Sequence, residues 1–167
     1  MKILKKVFLS ICLCGVGTII FFYSTDWLWP EFNGSHNLGN NIYMIEWDGG
    51  PIVVQGSNIR GRTCYGGSPV VPSYESNINR REYVVYSKYN DSWILIKTVM
   101  HNPVEDKYYI INKTFEVDEN PQVIQTKYTK SFSDSISFVG YLQSHNIQEK
   151  YLKICRKNSM LKKFEKD

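Results

Sequence analysis

The sequence predicts an α+β domain, an antiparallel sheet of hairpins and a meander with one C-terminal helix docked on it, preceded by an N-terminal transmembrane helix. Three observations carry this. An apolar run behind a lysine cluster opens the chain, β-branched and aromatic runs alternate with turn residues through its middle, and a helical periodicity occurs once near its end.

Lys2, Lys5 and Lys6 precede an uninterrupted apolar run over residues 7–23, which exits through Thr25-Asp26-Trp27-Leu28-Trp29-Pro30. At the helical rise this run spans roughly 26 Å, the short end of what crosses a hydrocarbon core, and Trp27 and Trp29 suit the far interface. Three positive charges on the short flank orient that flank inside and the rest of the chain outside. An uncleaved anchor accounts for lysines, length and tryptophans together. The alternatives fit less well: cutting at Gly15-x-Gly17 would leave Ile19-Ile20-Phe21-Phe22 exposed, and Cys12 and Cys14 follow Ile11 and Leu13 rather than the small residue a lipoprotein signal wants. The expected organisation is a basic cytoplasmic flank (1–6), an anchor in the lipid bilayer (7–24), a linker (25–36), one extracytoplasmic domain (37–156) and a loosely held basic tail (157–167).

Three of the 20 Lys and Arg and none of the 16 Asp and Glu precede the apolar run, so the outer part is close to neutral and nucleic acid is not an expected partner. Aromatics at 14% and hydrophobics at 43% of the whole chain are globular values and set it apart from disordered chains.

Within that part, Ile42-Tyr43-Met44-Ile45-Glu46-Trp47 ends at Asp48-Gly49-Gly50 and resumes as Pro51-Ile52-Val53-Val54, a predicted hairpin. Residues 82–89 and 93–100 flank Asn90-Asp91-Ser92 as the clearest hairpin in the chain. Residues 107–115 follow the His101-Asn102-Pro103 loop as a third meander strand. The helix starts at a Ser131 or Ser133 cap and carries Ile136, Val139 and Leu142 along one face, widened by Phe138 and Tyr141. Its end is marked by Asn146 in a left-handed conformation, which sets Ile147 against Leu142 in a Schellman motif. Gly140 lowers helix propensity, so the helix depends on docking. Residues 151–155 fit a last strand or another helical turn equally.

Cys64 and Cys155 are the only cysteines beyond the apolar run, and an oxidising compartment would let them form a disulfide; two unpaired buried thiols are the competing reading. Cys64 as a nucleophile would need His101 or His145 as its base, and nothing in the spacing supports that. His36, His101 and His145 lack metal-ligand spacing, and Glu116, Asp118, Glu119 and Asn120 read as a solvated turn rather than a calcium loop, so neither metal nor cofactor is expected. Residues 56–69, Gly-Ser-Asn-Ile-Arg-Gly-Arg-Thr-Cys-Tyr-Gly-Gly-Ser-Pro, read as a long loop. Its glycines free backbone N–H groups, and Arg60 and Arg62 add donors matched to carboxylate or phosphate. Arg60, Arg62, Tyr65, Gly66 and Gly67 are therefore the candidate binding residues, against the plainer alternative of a solvated surface connection.

Heavy use of Asn, Ile, Lys and Tyr points to a low-GC genome and, with the lysine-led export signal, to a bacterium. The succession Asn37-Leu38-Gly39-Asn40-Asn41-Ile42-Tyr43, Cys64-Tyr65-Gly66-Gly67, Trp93-Ile94-Leu95-Ile96-Lys97 and Tyr108-Tyr109-Ile110-Ile111-Asn112-Lys113 resembles small cell-envelope proteins of gut-type bacteria, of the domain-of-unknown-function type, over much of residues 37–147. The resemblance implies an exported α+β domain whose motifs are structural. The function expected is a non-enzymatic, membrane-tethered module that binds an envelope protein or glycan. The alternatives are a small envelope inhibitor or immunity factor and a cysteine-dependent enzyme.

Overall fold

The computed structural model describes residues 35–47, 50–73, 82–101 and 104–155; the expected flank and anchor (1–24), most of the 25–36 linker and the 157–167 tail lie outside the described residues. Among the described residues no helix is long and apolar enough to cross a membrane. The elements are antiparallel strands with a small C-terminal helix, as predicted, but the strands form two sheets rather than one.

The first sheet has the order β1-β2-β3-β4, from β1 (His36–Gly39), β2 (Ile42–Ile45), β3 (Ile52–Arg60) and β4 (Thr63–Val71). Asn40 and Asn41, at φ of 50° and 59°, form a two-residue turn between β1 and β2 with both central residues left-handed, the geometry of a type I′ hairpin. The β2–β3 hairpin falls where the sequence placed it, with Ile45 opposite Ile52. The second sheet has the order β8-β7-β6-β5-β9, its edge strands being β8 (Thr129–Phe132) and β9 (Lys153–Cys155). Its centre is the predicted meander, β5 (Glu82–Tyr89), β6 (Trp93–His101) and β7 (Val104–Asn112). Asn90 Oδ1 accepts the N–H groups of Ser92 and Trp93, which closes the tight turn read from Asn90-Asp91-Ser92.

Alternation of side chains explains why two sheets form. In β2, Ile42 and Met44 join Val53, Val70 and Val71 on one face, while Tyr43 and Ile45 join Ile52, Val54 and Cys64 on the other. In the second sheet Val84, Ile94, Ile96 and Ile111 face the first sheet's Ile42 and Met44, so a shared core fills the space between sheets. Leu95 and Ile110 face away and receive the helix. The layers are therefore sheet, sheet, helix. A backbone hydrogen bond from Val84 N–H to the Pro51 carbonyl (2.7 Å) joins the sheets at one corner.

The chain leaves β7 through residues 113–120 and turns in a short helix, α1 (Pro121–Val123), which runs into a π-helix over Ile124–Tyr128. It then pairs β8 (Thr129–Phe132) with β7 and enters α2 (Ser135–Ser144). The cap of α2 is Asp134, whose carboxylate accepts the Ser137 N–H (2.8 Å), and neither Ser131 nor Ser133: Ser131 is committed to β8 opposite Tyr109. The buried face also differs from the expected one. Phe138 and Leu142 are buried, whereas Ile136 is 84% exposed and Val139 42%. The aromatic positions carry the docking: Phe138 stacks on Tyr108 at 5.1 Å and meets Phe132 edge-on at 5.8 Å.

The helix end is as predicted. Asn146 has φ 54°, its N–H donates to the Gln143 carbonyl, and the Ile147 N–H donates to Leu142 (2.8 Å), the two bonds of a Schellman motif. A 3₁₀ turn (Glu149–Tyr151) leads to β9 (Lys153–Cys155), which pairs with β5, so the last segment is a strand.

Candidate functional site

The glycine-rich stretch is not a loop. Residues 56–60 and 63–69 belong to β3 and β4, and only Gly61 and Arg62 separate the two strands, with Arg60 opposite Thr63. Gly61 has φ 60° at the first turn position, where a two-residue hairpin of type II′ wants glycine. The sequence hid this hairpin because its register breaks three times, so the apolar alternation that marks a strand is lost. Gly67 permits a close backbone crossing: a Cβ there would lie 2.0 Å from the Gln55 carbonyl oxygen. A Cβ at Gly66 would meet nothing within 4 Å.

The hairpin brings Arg60 to Tyr65 and sets Arg62 in the adjoining turn. Arg60 and Arg62 are exposed, Tyr65 is 49% exposed at a bulge, and the Arg60 guanidinium lies over the Tyr65 ring at 5.9 Å. Ile59, 40% exposed, adds apolar surface on the same arm. Gly66 and Gly67 line the arm behind the tip and shape the backbone. Their neighbour Cys64 points the other way, 2% exposed among Tyr43, Ile45, Ile52 and Val54.

The expected Cys64–Cys155 disulfide is not formed; both thiols are free and buried. Cys64 belongs to the outer face of the first sheet, and Cys155, on β9, belongs to the core between the sheets, so they occupy separate clusters. The Cys64 thiol donates to the Gly66 carbonyl (3.2 Å), and burial raises its pKa. Burial pushes the Cys155 thiol up to about 11, the Ser87 hydroxyl partly opposing it.

Sequence reading missed a second feature, a cleft of about 470 Å³ on the helix side of the second sheet. Trp93, Ile110 and Asn112 share one face of β6 and β7, and Lys130 lies opposite Ile110 on β8. The ten residues of α2 extend about 15 Å and cover the Leu95 and Tyr108 end of this face, leaving the Trp93 and Asn112 end open. The π-helix walls the open end with Thr126, Lys127 and Tyr128, and Tyr141 of α2 closes the other side. The Lys127 and Lys130 ammonium groups sit over the rings of Tyr128 (5.1 Å) and Tyr141 (4.6 Å). The wide turn of a π-helix is rare and recurs at functional sites. Nothing in residues 124–128 marks it in advance, because its wall depends on β7 and α2.

His145 stacks on Tyr141 at 3.8 Å and its Nδ1 lies 2.9 Å from the Ser144 hydroxyl. Among the described residues no group of His, Cys, Asp and Glu is arranged to hold a metal ion. Glu82, fully buried, accepts hydrogen bonds from the Thr98 (2.7 Å) and Tyr109 (2.6 Å) hydroxyls and so fixes three strands of the second sheet to one another.

Two measurements check this geometry. Gly67→Ala should lower stability in urea by about 1–3 kcal/mol, because backbone must move to admit the methyl, while Gly66→Ala should leave the midpoint nearly unchanged. Above pH 9 the unfolded Cys155 thiol ionises while the folded one holds its proton, so stability should be full below pH 9 and fall as pH rises towards 11. Cys155→Ala should flatten that fall. Comparison with protein-family models, curated proteins and solved structures found no match for this chain.

Proposed function

We propose that this chain is a membrane-tethered extracytoplasmic binding module that works without catalysis and engages another component of a bacterial envelope through the tip of the β3–β4 hairpin. The observation that carries this is the joint exposure of Arg60, Arg62, Tyr65 and Ile59 on one short arm. Arginine and tyrosine dominate binding energy where a surface becomes desolvated, and a two-residue turn presents them with little ordering left to do. The arm's base is fixed by its own strand pairing and by Gln55, whose amide donates to the Glu119 carbonyl (2.6 Å). A guanidinium already resting on an aromatic ring is pre-positioned for a carboxylate or phosphate on the partner.

A cysteine-dependent reaction has less support. Cys64 is buried, and its thiol is held protonated by burial while it donates to a backbone carbonyl, the opposite of what activates a cysteine.

The test is photo-crosslinking from position 65 in intact cells, followed by quantitative capture with the Arg60→Ala/Arg62→Ala chain. One predominant partner should be recovered, and its affinity should fall by about 2 kcal/mol or more, roughly 30-fold, with the thermal midpoint barely moved. An unchanged partner profile in the double variant would reduce the tip to a turn.

A further inference from the structure

We infer that the cleft between the π-helix, β7 and α2 is a binding site for an acidic saccharide, a sugar ring bearing a carboxylate. The inference goes beyond the hairpin surface and stands independently of it. The lining combines the aromatic rings of Trp93, Tyr128 and Tyr141 and the aliphatic Ile110 with neutral polar groups of Asn112, Thr114, Thr126 and Thr129 and the ammonium groups of Lys127 and Lys130.

Each group has capacity left for a ligand. The Thr126 hydroxyl donates to the Gln122 carbonyl (2.8 Å) and the Thr129 hydroxyl to Ile124 (2.9 Å), so both oxygens remain as acceptors. Asn112 Oδ1 accepts the Thr114 N–H (3.2 Å), which leaves the amide NH₂ as a donor towards the cleft. Sugar hydroxyls both donate and accept, and a wall of fixed acceptors beside a free donor suits them. The apolar face of a sugar ring matches an aromatic side chain, and Trp93 provides the largest such surface here.

The charge decides the class. Among the described residues no acidic side chain lines the cleft, and neither Lys127 nor Lys130 enters an ion pair. Their cations are held at the rim by tyrosine rings, an attraction weaker than that of a carboxylate, so an incoming anion meets two positive charges that need not break a salt bridge. The volume fits a mono- or disaccharide, within the usual range for small-ligand sites.

The experiment uses the full chain in a detergent without a sugar headgroup, titrated calorimetrically with N-acetylmuramic acid against N-acetylglucosamine and with galacturonic acid against galactose. Within each pair the acidic sugar should bind about tenfold more tightly, and the Trp93 indole N–H resonance should shift on titration. Lys127→Met and Lys130→Met, both at exposed positions, should each reduce that preference without moving the thermal midpoint. Binding of neither acidic sugar, equal binding within both pairs, or a preference untouched in both variants would overturn the proposal. Loss of hairpin capture in Arg60→Ala/Arg62→Ala has no bearing on these outcomes, so the two sites fail separately.

Discussion

The arrangement depends on a clasp of amide side chains that ties the segment after β7 across the first sheet. Asn40, in the left-handed turn between β1 and β2, donates to the carbonyls of Lys113 (3.2 Å) and Phe115 (2.9 Å). Gln55, buried on β3, donates to Val117 (3.3 Å) and Glu119 (2.6 Å), and Asn41 ties the turn to the Gly56 carbonyl. In return the Lys113 ammonium donates to the Leu38 carbonyl (2.8 Å), and its burial lowers its pKa despite Asp91 nearby. A loop of this length would otherwise leave several carbonyls half-buried and unpaired, at about 1–3 kcal/mol each. Once residues 113–119 are fixed, Phe115 and Ile124 enter the core between the sheets, Gln125 reaches the Pro69 carbonyl (2.7 Å), and the π-helix is set at the edge of the cleft.

The pattern of what could be read in the sequence follows from this. The β5–β6–β7 meander was legible because each strand carries its own alternation and its turn chemistry is local. The Schellman end of α2 was legible for the same reason, since Asn146 and Ile147 act within one turn. The division into two sheets was not, because β2 and β3 are apolar on both faces and the sequence does not say which neighbour each face meets. Ile136 and Val139 misled for a related reason: their spacing is helical but does not say which side of the helix docks, and the aromatic residues hold the contacts on β7 and β8.

At the candidate sites the balance is similar. Arg60, Arg62 and Tyr65 were named from composition, and the structure brings them together on a hairpin instead of a loop. The pairing of Cys64 with Cys155 failed because being the only two cysteines beyond the apolar run says nothing about which side of a sheet each occupies. The cleft escaped notice because its residues are scattered from Trp93 to Tyr141 and no short motif spans them. It exists because a helix of ten residues is shorter than the sheet face beneath it.

Native-state hydrogen exchange on the Asn40→Gly chain tests the clasp most directly, since glycine keeps the left-handed turn and removes only the side-chain hydrogen bonds. Core amides of β3 in the first sheet and of β6 and β7 in the second should exchange through one common opening, and in the variant all should lose about 1–3 kcal/mol together. Unchanged protection in both sheets, or a loss confined to residues 113–120, would contradict the claim that this clasp joins the two sheets into one cooperative unit.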